Sequence, residues 1–194
     1  MPVRRLFLVA LVGEGLLAGT AVVWIQLRGL AVGAGEPVIG LGLGLGTAVL
    51  LALVNYAVLR LAPPIQPVRA IRRLYRETFR PLFATVSPFE ILGVSLAAGV
   101  GEELLFRGAV QAEFGLVVAS VLFGLAHISS RGSVVFGLWV VVMGFGLGGL
   151  AYVAGGLLAP IVAHFVYDAA AINYISRDAV AGRSESPVVH RDPS

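Results

Sequence analysis

Long apolar runs alternate with short, arginine-bearing breaks along the whole chain. The runs cover residues 6–27, 38–62, 89–112, 114–130, 133–150 and 151–175. A helix of about 20 apolar residues crosses the hydrocarbon layer of a bilayer. An open strand cannot, because lipid offers its backbone no hydrogen-bond partners. The pattern therefore predicts an all-α, polytopic transmembrane helical bundle of about six spans. Residues 1–177 form one transmembrane domain. Residues 178–194 hold too little apolar surface to fold alone and are expected to be a disordered cytoplasmic tail.

Two stretches depart from simple apolar filling. In the second run, Gly40, Gly42, Gly44 and Gly46 alternate with leucines. Small residues there let helices approach closely; a phosphate-binding loop would need a following Lys-Ser/Thr, which is missing. After Pro63, Pro64 and Pro67, residues 69–80 place Arg69, Arg72, Arg73, Arg76 and Arg80 on one helical face and Ile71, Leu74, Tyr75 and Thr78 on another. That is an interfacial amphipathic helix, which Pro81 is expected to close.

Composition agrees with the pattern. Of 194 residues, 58% are hydrophobic and 13% charged, the balance of a membrane protein. No cysteine is present, which excludes disulfides, thiolate metal sites and a cysteine nucleophile. All 14 basic residues are arginine. They gather at span boundaries, so lipid headgroups explain the net charge of +3 better than nucleic acid does. Their distribution puts both termini in the cytoplasm by the positive-inside rule.

The candidate chemistry lies in the charges that break the apolar spans. One charge in lipid costs roughly 2.5–3.5 kcal/mol on insertion scales, so each is a functional candidate. Glu14 stands alone in the first span, and contact with other helices or a water pocket is favoured there over catalysis. The third span carries Glu102, Glu103 and Arg107; the fourth carries Phe123 and His127; the sixth carries His164 and Asp168. Polar clusters in three spans cost too much unless they meet each other or water. Glu103 and Arg107, four residues apart, can pair. Glu102 lies about 100° around the helix and is free to serve as a general base. His127 can share a water with it, while His164 and residue 168 can stabilise an oxyanion. These parts suit attack of an activated water on a peptide carbonyl. No serine stands beside a base: Ser95 and Ser120 lie in apolar runs, Ser129 and Ser130 at a loop. The span boundaries place Glu102 halfway along its helix and His127 near the end of the next, a mismatch in depth.

Glu102-Glu103-x-x-x-Arg107, Phe123-x-x-x-His127 and His164-x-x-x-Asp168 resemble the three ordered motifs of the CPBP family, the membrane-embedded CAAX prenyl proteases and Abi-type bacteriocin-processing proteins. The resemblance covers about residues 85–175. It implies a metal-independent glutamic endopeptidase of the cell membrane, acting on CAAX-type carboxy termini, bacteriocins or other membrane peptides. It assigns Glu102 as the base, His127 as its helper, His164 and Asp168 as the oxyanion site, and Glu103, Arg107 and Phe123 as support. The prenyl-protease members carry asparagine where this chain has Asp168, and an ionised carboxylate has no hydrogen to donate; Asp168 can instead orient His164 or a water.

The expected partners are membrane lipid and a peptide or membrane-protein substrate, with no nucleic acid and no cofactor. Alternatives are a zinc protease, a proton-coupled transporter, and a non-catalytic scaffold or immunity protein. Zinc could take two histidines and a glutamate, although the H-E-x-x-H spacing is missing.

Overall fold

The computed structural model describes residues 3–184. Helix α1 (Val3–Arg28) leads through a loop to α2 (Pro37–Tyr56), which runs on as a π turn, Ala57–Leu61. Then come α3 (Gln66–Leu74), a second π turn (Tyr75–Phe79) and α4 (Arg80–Phe83). Helix α5 (Pro88–Glu103), a π segment (Leu104–Val110) and α6 (Gln111–Ala126) follow without a loop. A 3-10 turn (Arg131–Ser133), α7 (Val134–Ala154) and α8 (Leu158–Ser184) complete the fold, with no strand among the described residues. Among the described residues, five helical segments are long and apolar enough to cross a membrane: 5–28, 37–61, 88–126, 131–154 and 158–179.

Local chemistry explains where the helices begin. Glu36 accepts a bond from the Ile39 N–H at 2.7 Å, with Pro37 in the first turn of α2. Ser87 and Glu90 form a capping box at the start of α5, again with a proline just inside. Such caps satisfy N–H groups that the helix itself leaves without partners.

The expected third and fourth spans are two legs of one 39-residue segment. The chain reverses at Gly115, whose φ of 85° and ψ of 170° interrupt the helix. That conformation is accessible essentially to glycine alone. The reversal removes the apparent mismatch in depth. Glu102 lies 13 residues before Gly115 and His127 12 after it, so the legs bring them level. The Phe106 and Phe123 rings, 5.1 Å apart, mark the same register.

Three other boundaries move. The turn between the last two spans is Gly155-Gly156 and not residue 150, because Gly155, at φ 68°, supplies the left-handed cap that ends α7. Pro81 does not close the amphipathic segment, which runs on to Phe83; it falls in the first turn of α4, where a missing N–H costs little. The tail does not start at 178. Helix α8 continues through Ser184, because Asp178 is anchored: Arg60 and Arg80 pair with it at 2.8 and 3.2 Å, and the Tyr75 hydroxyl donates to it at 2.8 Å. Residues 185–194 of the expected tail lie outside the described residues.

Glycines set the closest packing. A Cβ at Gly40 or Gly44 would run into Leu158, Ala159 or Val162 of α8, whereas Gly42 and Gly46 face open space. On α7, Gly144 packs against Ser120, and Gly148 against Gln111 and Leu116. The spacing of Gly144 and Gly148 is thus used inside the bundle. Both carbonyls are hydrogen-bonded from the leg before Gly115, Gly144 by Arg107 at 3.3 Å and Gly148 by Gln111 at 3.0 Å.

Candidate active site

The π segment begins directly after Glu103, and the polar residues of three motifs converge there. Glu103 is fully buried. Its Oε1 accepts from Arg107 Nη1 at 2.9 Å and from His164 Nδ1 at 2.7 Å. The carboxylate therefore offsets the buried guanidinium and also fixes the ring of His164, a second task that the sequence reading did not assign. Arg107 spends Nη2 on the Gly144 carbonyl and lies 4.2 Å from the Phe123 ring centroid. Phe123 in turn meets His127 at 4.9 Å and His164 at 6.0 Å, edge to face. This one ring packs against the cation and both imidazoles.

The hydrogen bonds fix how the histidines face. His127 Nδ1 lies 2.8 Å from the Phe123 carbonyl, an acceptor, so that nitrogen carries the proton. His164 Nδ1 donates to the Glu103 carboxylate in the same way. Both Nε2 atoms are then turned toward Glu102, each 3.9 Å from its Oε2. That is beyond a direct hydrogen bond, the range in which a bridging water is considered. Asp168 Oδ2 lies 3.5 Å from His164 Nε2. All seven residues singled out in the sequence thus form one connected group.

Glu102, Phe123, His127, His164 and Asp168 line a cavity of about 290 Å³, whose walls are otherwise mostly apolar and rich in aromatic rings. Sequence reasoning missed those walls. Trp139 and Met143 come from α7, Tyr167 and Ile172 from α8, and Ile71, Tyr75, Phe79 and Phe83 from the amphipathic segment. The apolar stripe of that segment was visible; that it roofs the site was not. Burial and the Asp178 carboxylate push the Tyr75 phenol above its ordinary pKa, so it stays protonated and donating around neutral pH.

Glu14 also reaches this region. Its backbone oxygen and its carboxylate press against Gly101, immediately before Glu102. Among the described residues, no cluster of three or more His, Asp or Glu side chains is arranged to hold a metal ion.

Fold and site together define a multi-pass helical membrane protein with a glutamate–histidine centre under an aromatic roof. Residues 84–170 match the family model "Type II CAAX prenyl endopeptidase Rce1-like", and this segment carries all three motifs. The resemblance drawn from the motifs is therefore borne out. The chain is also similar to the uncharacterized protein YpbD of Bacillus subtilis (strain 168), 30% identical over 128 residues. That match spans 65% of this chain and 64% of YpbD. No solved structure matches the chain.

Proposed function

We propose that the protein is a membrane-embedded endopeptidase in which Glu102 activates water. The observation that carries this reading is the placement of Glu102 Oε2, at 3.9 Å from each of two imidazole Nε2 atoms, on the wall of an apolar cavity. Glu102 takes a proton from water held between it and His127. The water oxygen bonds to the scissile carbonyl carbon, and the carbonyl π electrons move to its oxygen. His164, flanked by the carboxylates of Glu103, Glu102 and Asp168, serves as an imidazolium whose Nε2–H donates to that oxyanion. When the C=O bond re-forms, the C–N bond breaks and the amine nitrogen takes the proton from Glu102. Atoms and charges balance, and the base is regenerated. Asp168 faces His164 Nε2 as an acceptor, so its role is to orient and charge-balance that ring. The reaction needs no metal, and treatment with a chelator is expected to leave the rate unchanged.

The aromatic cavity favours an apolar substrate segment, which fits a lipidated CAAX-type terminus or a hydrophobic membrane peptide. Arg69, Arg73 and Arg76 are exposed on the outside of the roof and would rest among lipid headgroups on the side proposed to be cytoplasmic. The test is Glu102→Gln, purified in detergent and assayed on a fluorogenic farnesylated CAAX-type peptide and its unprenylated form. Loss of a general base removes on the order of 10²–10⁴-fold in rate. Turnover equal to wild type would defeat the glutamate mechanism.

A further inference from the structure

We infer that Glu14, on α1 and outside the three motifs, is a positioning residue that acts through Glu102; this rests on the reading of Glu102 as base. Most of α1 is lined with apolar side chains exposed outside the bundle, including Leu8, Val9, Val12 and Leu16. A carboxylate in the middle of such a helix is costly, so where it points carries information. It points inward. A Cβ on Gly101 would lie 2.6 Å from the Glu14 carbonyl oxygen and 2.9 Å from Glu14 Oε2. The carboxyl group therefore lies against the backbone of the residue preceding Glu102, in a space that exists because residue 101 is glycine.

No arginine among the described residues pairs with it, and the cation within its reach is the His164 ring when protonated. Glu14 Oε2 is buried without a hydrogen-bond partner, as is Glu102 Oε2. Arg107 is committed to Glu103 and Gly144, while Arg28, Arg60 and Arg80 pair with Glu113 and Asp178. The charged and titratable groups within electrostatic reach of Glu14 include Glu102, His164 and Asp168. The negative charge of a second carboxylate behind Glu102 makes full negative charge on Glu102 less favourable. The step in which Glu102 accepts the proton of water is thereby eased. No bond forms to Glu14 and no proton has to leave it.

The competing role is packing of α1 on α5, and the isosteric change Glu14→Gln separates the two. Glu14→Gln is expected to lower kcat on the order of tenfold at unchanged KM, with Glu14→Asp closer to wild type. Wild-type kcat in Glu14→Gln, or a change confined to KM, would overturn the inference. A second measurement needs no turnover: thermal unfolding of Glu14→Gln, Glu102→Gln and the double variant in one detergent. Coupled carboxyl groups give a shift for Glu14→Gln that disappears in the Glu102→Gln background, whereas strictly additive shifts contradict coupling. If wild type does not cleave the farnesylated probe, this cycle alone decides. An inactive Glu102→Gln beside a fully active Glu14→Gln would refute the role of Glu14 while leaving the glutamate mechanism standing.

Discussion

Glu103 shows how much a single buried carboxylate holds in this protein. It pairs with Arg107 and orients His164 through the same oxygen. Truncating one partner of a buried ion pair costs about 3–5 kcal/mol, because the other charge is stranded. Arg107→Ala should therefore unfold at lower temperature or denaturant concentration, a loss that circular dichroism in detergent would detect. Glu103→Gln combined with Arg107→Met removes both charges and should regain much of the stability. Its activity should stay low, since His164 no longer donates Nδ1–H to a carboxylate; an active double variant would refute that role. The i, i+4 spacing of 103 and 107 made the pair legible in the sequence. The bond from His164 was not, because 61 residues separate it from Glu103 and spacing says nothing about contacts across a bundle.

At the scale of elements, the α5–α6 hairpin sets the site. Apolar content predicted the two legs, but it could not show that they join without a loop, because the reversal needs one glycine among 25. What singles out Gly115 is a positive φ with an extended ψ inside an otherwise helical stretch. A Gly115→Ala variant has room for its methyl group, with no atom within 4 Å, so its cost is purely conformational, about 1–3 kcal/mol. It should melt earlier, and turnover should fall as Glu102 and His127 lose register. Wild-type melting would mean that the reversal tolerates a side chain. The π turns were equally invisible from sequence, since hydrophobic periodicity does not report a single widened turn.

Across the whole molecule, the roof over the cavity is tied to the bundle by polar contacts that converge on Asp178. Arg60 reaches it from the end of α2, and Tyr75 and Arg80 from the amphipathic segment. The sequence reading assigned Asp178 to a tail because the residues after it are polar; its partners lie about 100 positions earlier and could not be seen in a local window. Asp178→Ala should loosen the roof by about 1–2 kcal/mol, in keeping with partly exposed pairs. Trypsin should then cut faster after the exposed Arg69, Arg73 and Arg76, a difference readable by mass spectrometry. Unchanged cleavage would show that apolar packing alone holds the segment.

The reversal at Gly115 also works as a ruler. Each residue added to one leg slides that helix about 1.5 Å past the other and turns its side chains by about 100°. A single insertion between Gly115 and Phe123 would carry His127 out of line with Glu102 while leaving every motif readable. Insertions and deletions between Glu102 and His127 should therefore be far less tolerated than in the loop 29–36, and lineages that change the length of one leg should have changed the other to match.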